Sequence, residues 1–287
     1  MMLNVLSFGG GVQSTVLLLM SCLGELPKLD HAIFSDPGWE SPATYKHVEW
    51  CRQQSDKAGI PLHILTGKDI KQDALISKVR GIKGDGERWA SMPYYTRNRK
   101  TGEVGMIKRQ CTNEYKIQPV EKYIRSKILE LKKGQRAKPR AINLWIGYSV
   151  DEMRRVRASR NRWCVNQYPL IFKNSETLEF ATPQMSREDC RQWLRCRYKG
   201  LAVPSSQCVG CPFMDDLYWI DLRENQPSQW DEVCRFDEAI RECGGDWGDV
   251  FIHQSATPLR TAKLNPNKPK MYIADMFGGF SCGTCDT

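Results

Sequence analysis

The stretch that decides the fold is LNVLSFGGGVQST, residues 3–15. Leu3 to Phe8 is a short apolar run that predicts a buried strand, and Ser14 to Leu23 predicts a helix. A glycine-rich turn between a strand and a helix binds anions, because the backbone can approach a phosphate and the helix start offers free N–H groups and a positive dipole end. The residues predicted to bind a nucleotide here are Ser7, Gly9, Gly10, Gly11, Gln13, Ser14 and Thr15.

The loop matches neither the Gly-Lys-Ser/Thr phosphate loop nor the G-x-G-x-x-G dinucleotide pattern. We expect a Cβ atom at Gly10 to obstruct the approach of a phosphate. The alternative interpretation is a flexible glycine turn in an ordinary βα unit.

Short apolar runs alternate with helical segments after this loop, which predicts an α/β fold with a parallel sheet and right-handed crossovers. Further strands are predicted at His31 to Asp36, Leu62 to Thr66 and Ala141 to Gly147, and helices at Pro42 to Ala58, Ile117 to Lys133, Ser186 to Arg197, Asp215 to Glu224 and Ser228 to Cys243. Gly81 to Gly105 predicts a long loop or lid over the site. We assign residues 1–165 to a nucleotide-binding α/β domain and residues 166–287 to an α-rich portion with CxxC motifs.

The chain is basic, with a formal charge of +9. The excess is concentrated in Lys122 to Arg140 and in Arg154 to Arg162. Such runs are often a solvated surface, but they also suit an anionic partner such as DNA or RNA. No apolar run approaches the roughly 18 residues of a membrane span, and no basic stretch precedes the first apolar residues. We therefore expect a cytoplasmic protein that does not bind membranes.

Two motifs at consecutive strand ends resemble a known superfamily. SFGGGVQST, residues 7–15, resembles the S-x-G-G-x-D/Q-S-T loop of the ATP-pyrophosphatase (PP-loop) superfamily. FSDPGWE, residues 34–40, resembles the F-x-D-T-G-x-E segment of its sulfonucleotide reductase branch, with Pro37 where that branch usually has threonine. The resemblance implies a parallel, adenine nucleotide α-hydrolase-like (Rossmann-like) sheet that binds ATP and Mg²⁺, with Asp36 at the site.

Two further blocks extend the resemblance over roughly residues 1–215. Residues 108–119, KRQCTNEYKIQP, resemble the R-x-C-T-x-x-x-K-x-x-P segment of phosphoadenosine-phosphosulfate-reductase-like proteins, which include the iron–sulfur sulfurtransferase of DNA phosphorothioation. Residues 147–155, GYSVDEMRR, resemble their G-x-x-x-D-E-x-x-R segment. The nucleotide-binding residues that these blocks add are Arg109, Lys116 and Gly147. Planar guanidinium groups also suit phosphate or sulfate, which makes Arg109 and Arg155 predicted anion contacts.

The twelve cysteines include a C-x-x-C at Cys208 and Cys211, with Gly210 inside it and Pro212 after it. Three interpretations stay open: a redox dithiol, a structural zinc site, or a 4Fe–4S cluster completed by a remote cysteine. Cys111 follows the basic residues Lys108 and Arg109 in a loop-like stretch, and their positive charge favours the thiolate form of its side chain. The resemblance implies a cluster on Cys111, Cys208 and Cys211 with one iron open, and zinc is the alternative.

The catalytic candidates lie in two further places. Asp151 and Glu152 follow a predicted strand, so they could bind Mg²⁺ or substrate, or else cap a helix; we assign a catalytic role to Asp151 and Arg155. Cys282 and Cys285 form a second C-x-x-C near the end of the sequence. They could carry a nucleophilic thiol or persulfide into the site, share a zinc ion with the first C-x-x-C, or be idle thiols.

These observations predict an ATP-dependent enzyme that adenylates an acceptor, preferably nucleic acid or a nucleotide, and inserts sulfur. A sulfur donor protein such as a cysteine desulfurase is a possible partner. Two alternatives remain open: a sulfonucleotide reductase, which would cleave a sulfate ester without hydrolysing ATP, and a non-catalytic nucleotide-binding module.

Overall fold

The central sheet has five parallel strands in the order β3-β2-β1-β8-β9 in the computed structural model, which describes residues 2–76, 79–80, 87–88, 92–241 and 248–267. The strands are β1 Leu3–Ser7, β2 His31–Ser35, β3 Leu62–Leu65, β8 Ile142–Ile146 and β9 Cys164–Gln167. The predicted α/β fold with a parallel sheet is therefore confirmed. β9 was not predicted, and it crosses the predicted domain boundary at residue 165.

Helices cover both faces of this sheet, so its strands are apolar on both sides. Successive residues alternate between the faces: Leu6 and Phe34 pack with helices α1 (Val12–Cys22), α2 (Pro42–Lys57) and α5 (Arg187–Arg197). Val5 and Ile33 pack instead with Val120 and Ile124 on the other face. Because the strands are parallel, the carboxyl ends of β1, β2 and β8 lie together at one edge of the sheet.

The helix predicted at Ile117 to Lys133 differs from the observed one. Two segments of π-helix, Thr112–Ile117 and Ile124–Ile128, flank α4 (Gln118–Tyr123), so the helix begins earlier and ends earlier. Pro119 lies inside this continuous helix and cannot donate to the carbonyl of Tyr115 four residues before it, which instead accepts a hydrogen bond from Ser35 Oγ (2.6 Å). Glu130 takes a left-handed φ of +49°, which ends the helix before Lys133.

The predicted long loop at Gly81 to Gly105 is partly wrong. Its second half contains β6 (Tyr95–Arg97) and the start of β7 (Val104–Met106), which join β12 (Asp249–Phe251) in an antiparallel three-stranded sheet. Two short strands, β4 (Val79–Arg80) and β5 (Glu87–Arg88), also pair antiparallel. Residues 81–86 and 89–91 of this stretch lie outside the described residues.

After β9 the described residues include three helices, Arg187–Arg197, Asp216–Asn225 and Pro227–Ala239, which lie close to the three predicted there. Ser186 and Asp189 form the predicted capping box at the start of α5. α6 (Asp216–Asn225) and α7 (Pro227–Ala239) pack on α3 (Ile70–Ile76) and on aromatic residues of the N-terminal half, in a core that includes Trp39, Tyr94, Tyr115, Trp219 and Trp230. Within the described residues, no helix has both the length and the apolar composition to cross a bilayer.

Candidate functional site

The glycine loop joins β1 to α1 at the carboxyl edge of the sheet and forms the floor of a solvent-open cleft of about 550 Å³. The helix begins at Val12, two residues before its predicted start, so Gly11 is its N-cap residue. We call this space the glycine-loop cleft. Its lining residues are Ser7, Gly9, Gly11, Gln13, Ser14, Ile146, Gly147, Glu152, Arg155, Arg187, Pro204, Ser205 and Ser206.

Gly10 is required for a reason that differs from the predicted one. Its φ of +78° lies in the left-handed region, which favours glycine. A Cβ atom there would meet Val48 at 3.4 Å, Phe34 at 3.5 Å and Thr44 at 3.7 Å, so it would point into the packing beneath the loop. The expectation that it would block a phosphate is therefore wrong, because Gly10 shapes the turn and does not line the cleft.

Gly147 brings the end of β8 against the start of α1. A Cβ atom at this position would lie 2.8 Å from the backbone nitrogen of Ser14 and 3.1 Å from its Cα. Only glycine permits this approach, since backbone atoms cannot move aside as a flexible side chain can. The predicted contribution of Gly147 to the site thus has a steric basis.

A polar network lines the cleft opposite the glycine loop. Gln13 Nε2 donates to Glu152 Oε2 (2.9 Å), and Arg155 Nη1 donates to Glu152 Oε1. The guanidinium of Arg155 also lies 4.4 Å from the centre of the Tyr148 ring and is 7% exposed. Arg187, the first residue of α5, adds a second guanidinium to the lining. The cleft therefore combines a helix N-terminus with two arginines, which suits an anion.

Two further predicted residues, Asp151 and Thr15, do not line this cleft. Asp151 Oδ2 accepts hydrogen bonds from Ser149 Oγ (3.1 Å) and from the backbone N–H of Arg187 (2.6 Å), so it secures the start of α5. Thr15 is fully buried, and its hydroxyl lies 2.9 Å from His47 Nε2 beneath the loop. The carboxylate that lines the cleft is Glu152, the neighbour of the predicted Asp151.

A second pocket lies beside the cleft and brings together the three cysteines predicted as metal ligands. Cys111, Cys208 and Cys211 all line it, together with the predicted anion contacts Arg109 and Lys116. We call it the cysteine pocket. The rest of its lining is mostly apolar and comprises Pro37, Ile70, Met92, Pro93, Thr112, Tyr115 and Pro212.

The C-x-x-C turn is fixed by its contact with Trp39. The N–H of Val209 donates to the carbonyl of Trp39 (2.9 Å), and the N–H of Cys211 donates to the carbonyl of Cys208 (3.1 Å). A Cβ atom at Gly210 would lie 2.1 Å from the indole ring of Trp39, so the turn packs directly on that ring. The segment FSDPGWE thereby supports the cysteines, a contact that its sequence does not reveal.

Charge near the cysteine pocket is organised by one buried ion pair. Lys116 Nζ lies 3.1 Å from Glu40 Oε1, and the Glu40 side chain is fully buried. Burial, together with the Glu40 carboxylate, raises the pKa of the Cys208 thiol well above its usual range, and Lys116 opposes this rise. Cys208 is therefore a neutral thiol at pH 7 unless a cation binds beside it.

Asp36, a predicted site residue, lines neither pocket. It accepts hydrogen bonds from Gly38 N–H (2.7 Å) and Tyr45 Oη (2.9 Å).

The residue types that line the cysteine pocket suit a metal ion or cluster bound by thiolates. Three sulfur donors from two distant segments face one space, and Arg109 and Lys116 can offset their negative charge. Among the described residues, however, no three His, Cys, Asp or Glu side chains already stand in a metal-binding arrangement. Binding would thus have to draw the thiols together. Cys282 and Cys285, the predicted tail nucleophiles, lie outside the described residues.

One segment, residues 204–212, lines both sites, and we call it the bridging segment. At its start, Ser206 Oγ donates to the carbonyl of Gly9 in the glycine loop. Two residues later, Cys208 forms a backbone bridge with Glu40 beside the cysteine pocket. Two residues span at most about 7 Å, so the two sites are neighbours. Sequence reasoning missed the serines of this segment, because Pro204-Ser205-Ser206 has the composition of an ordinary loop.

Searches against protein-family models, curated proteins and solved structures each found no match for this chain.

Proposed function

We propose that this chain is an ATP-dependent enzyme of the PP-loop type, which adenylates an acceptor and then transfers sulfur to it. The observation that carries this proposal is the bridging segment, which lines the glycine-loop cleft, with its helix N-terminus and two arginines, at one end and the cysteine pocket at the other. An enzyme that activates an oxygen with ATP and replaces it with sulfur needs both functions within one substrate's reach. The resemblance of residues 7–15, 34–40, 108–119 and 147–155 to the phosphoadenosine-phosphosulfate-reductase-like branch agrees with it.

The triphosphate of ATP would lie along the glycine loop. The free N–H groups at the start of α1 and the guanidinium groups of Arg155 and Arg187 would bind its oxygens. Mg²⁺ binds through a small number of carboxylates together with phosphate oxygens, and Glu152 is the carboxylate among the described residues that line the cleft. Glu152 would then exchange its contacts with Gln13 and Arg155 for the metal ion.

The first step is attack of an acceptor oxygen on the α-phosphorus of ATP. The bond to the β-phosphate oxygen breaks, and pyrophosphate leaves with the electron pair. Loop N–H groups and arginines stabilise the negative charge that develops on the phosphates. A sulfur nucleophile next attacks the activated carbon or phosphorus, and AMP leaves with the electrons of the broken bond to oxygen.

The residues that would hold a 4Fe–4S cluster are Cys111, Cys208 and Cys211. Such a cluster, when bound, would supply the sulfur for the second step, whereas zinc held by the same three residues would have a structural role. The alternative sulfur carrier is a persulfide on Cys282 or Cys285, loaded by a donor protein such as a cysteine desulfurase. After its outer sulfur had attacked the acceptor, the thiolate of the other cysteine would break the S–S bond, which would release the sulfur with the product and leave the two cysteines as a disulfide. Nucleic acid is the preferred acceptor because of the exposed basic residues.

Incubation of the anaerobically purified protein with α-labelled ATP tests this proposal. We expect release of pyrophosphate and AMP that rises when an acceptor is added. Release of sulfite from adenylyl sulfates would instead identify a sulfonucleotide reductase. Nucleotide binding without any turnover would identify a binding module, and absence of binding would remove ATP from the cleft.

A further inference from the structure

A hairpin beside the glycine-loop cleft exposes two large apolar side chains. β10 (Phe172–Asn174) and β11 (Glu179–Phe180) pair antiparallel. Leu178 is 58% exposed and Phe180 is 55% exposed, which puts them among the most exposed large apolar residues described. Leu178 also takes a left-handed φ of +57°, a conformation that residues other than glycine rarely adopt.

The hairpin is anchored to the wall of the cleft. Phe180 stacks on Phe172, with ring centres 5.3 Å apart and planes 21° apart. Phe172 is buried in a cluster with Tyr148 and Tyr168, against which Ile146 packs. Ile146 lines the glycine-loop cleft. The ring of Phe180 is therefore connected to the cleft wall through Phe172 and the aromatic cluster against which Ile146 packs.

The hairpin also borders an exposed basic strip. Arg140 makes a two-pronged contact with Glu176 in the hairpin loop (2.5 and 2.6 Å), and its N–H donates to the carbonyl of Arg162. The other hairpin carboxylate, Glu179, is paired with Lys173. Both acidic groups of the hairpin are thus neutralised. Arg140 and Arg162 belong to two runs of exposed basic residues, 122–140 and 154–162, which the backbone hydrogen bond between them joins, and we call the two runs together the basic strip.

From these features we infer that the hairpin and the basic strip form a binding surface for single-stranded nucleic acid, with a base stacked on Phe180. Single-strand sites combine cationic side chains that follow the phosphates with exposed aromatic rings on which bases stack. A duplex hides its base faces, so it could use the basic strip but not the ring of Phe180. This inference rests on the proposed function, since it specifies the acceptor, and it places a bound strand at the mouth of the glycine-loop cleft.

Fluorescence anisotropy with labelled dT and U oligonucleotides tests this surface. We expect Phe180→Ala to weaken binding about five- to hundredfold, the usual range for loss of one stacked base, and Phe180→Trp to restore it. Leu217→Ala is the matched control, because Leu217 is equally exposed (55%) but lies on α6. Arg160→Gln should reduce the slope of log affinity against log salt by about one.

Two outcomes would overturn the inference: equal affinity of Phe180→Ala and the wild type, or preference for duplex over single strands. ATP binding measured by calorimetry on the same samples separates this inference from the proposed function. If the wild-type protein binds ATP but no oligonucleotide, only the inferred single-strand surface is contradicted. If it binds oligonucleotides through Phe180 but does not bind ATP, only the proposed ATP-dependent enzyme is contradicted.

Discussion

The glycine-loop cleft and the cysteine pocket lie at one edge of the same sheet, yet they differ in how complete they are. The cleft is built by backbone: a left-handed glycine, a close approach of Gly147 to Ser14 and a helix N-terminus fix its shape. The three cysteines of the cysteine pocket line one space, but among the described residues they do not form a metal-binding arrangement, and Cys208 is a neutral buried thiol. The comparison suggests that the cleft is formed before its ligand binds, whereas the cysteine pocket is completed by its ligand.

The largest expected effect is a loss of iron from the cysteine pocket without a loss of ATP binding at the glycine-loop cleft. If the proposed cluster is present, serine at Cys111, Cys208 or Cys211 should abolish iron binding and the brown colour of anaerobic protein, because each substitution removes one of its three proposed ligands. ATP affinity should stay within about threefold of the wild type, a change of less than 1 kcal/mol. Iron analysis, absorption spectra and calorimetry on the same samples measure both quantities.

Cys196→Ser is the control for these variants, because Cys196 is an exposed thiol on α5. It should retain all of its iron. Retention of iron by Cys111→Ser would exclude that residue as a ligand, and zinc at one per chain in place of iron would assign the pocket a structural role.

The second prediction concerns acid and the support beneath the glycine loop. Burial lowers the pKa of His47 to about 4 in the folded protein, whereas the same side chain has a pKa near 6.5 in the unfolded chain. Between these two pH values the unfolded chain binds a proton at His47 that the folded protein does not. Stability should therefore fall as the pH drops from 6.5 towards 4, by up to about 3 kcal/mol from this residue.

Urea unfolding of wild type and His47→Gln at pH 8 and pH 4.5 measures that contribution. Groups common to both proteins cancel, so the difference between their pH responses isolates His47. Identical pH responses would show that the histidine beneath the loop does not titrate as its burial requires.

Sequence patterns predicted the strands whose residues are apolar on both faces, and missed the less apolar β9. CVNQ in β9 carries too little apolar signal to be recognised, and only packing beside β8 makes it a strand. At the site, the local pattern of residues 7–14 correctly indicated most of the residues that line the cleft. The neighbouring carboxylates Asp151 and Glu152 could not be told apart from sequence, and it is Glu152 that lines the cleft. The role of Ser206 depends on a contact with Gly9 across 197 positions, which no local pattern encodes.

The third prediction tests how rigid the cysteine pocket is. Gly210→Ala would place a methyl group 2.1 Å from the ring of Trp39, which is 5% exposed and packs on Phe236 with ring centres 4.5 Å apart. Overpacking of this kind costs about 2 kcal/mol. Denaturant unfolding should show this loss, whereas Gly11→Ala, whose methyl group meets Ser206 at an ordinary 3.7 Å, should cost less than about 1 kcal/mol. Equal stability of the two variants would mean that the C-x-x-C turn can leave Trp39 freely.

The smallest expected effect is the most specific to the cleft. Gly11 is the N-cap of α1, and aspartate is a favoured N-cap residue, so Gly11→Asp should fold as well as the wild type. Its carboxylate would nevertheless occupy the position at which a phosphate meets the helix N-terminus. We therefore expect ATP affinity to fall at least tenfold, about 1.4 kcal/mol, while iron content stays unchanged. Gly11→Ala adds the same Cβ atom without the charge and should bind ATP nearly as well as the wild type, so calorimetry on this pair separates charge from bulk. Unchanged affinity in a folded Gly11→Asp variant would mean that the phosphates bind elsewhere. Gly10 and Gly147 would then be required only for the packing of the loop and of α1 against β8.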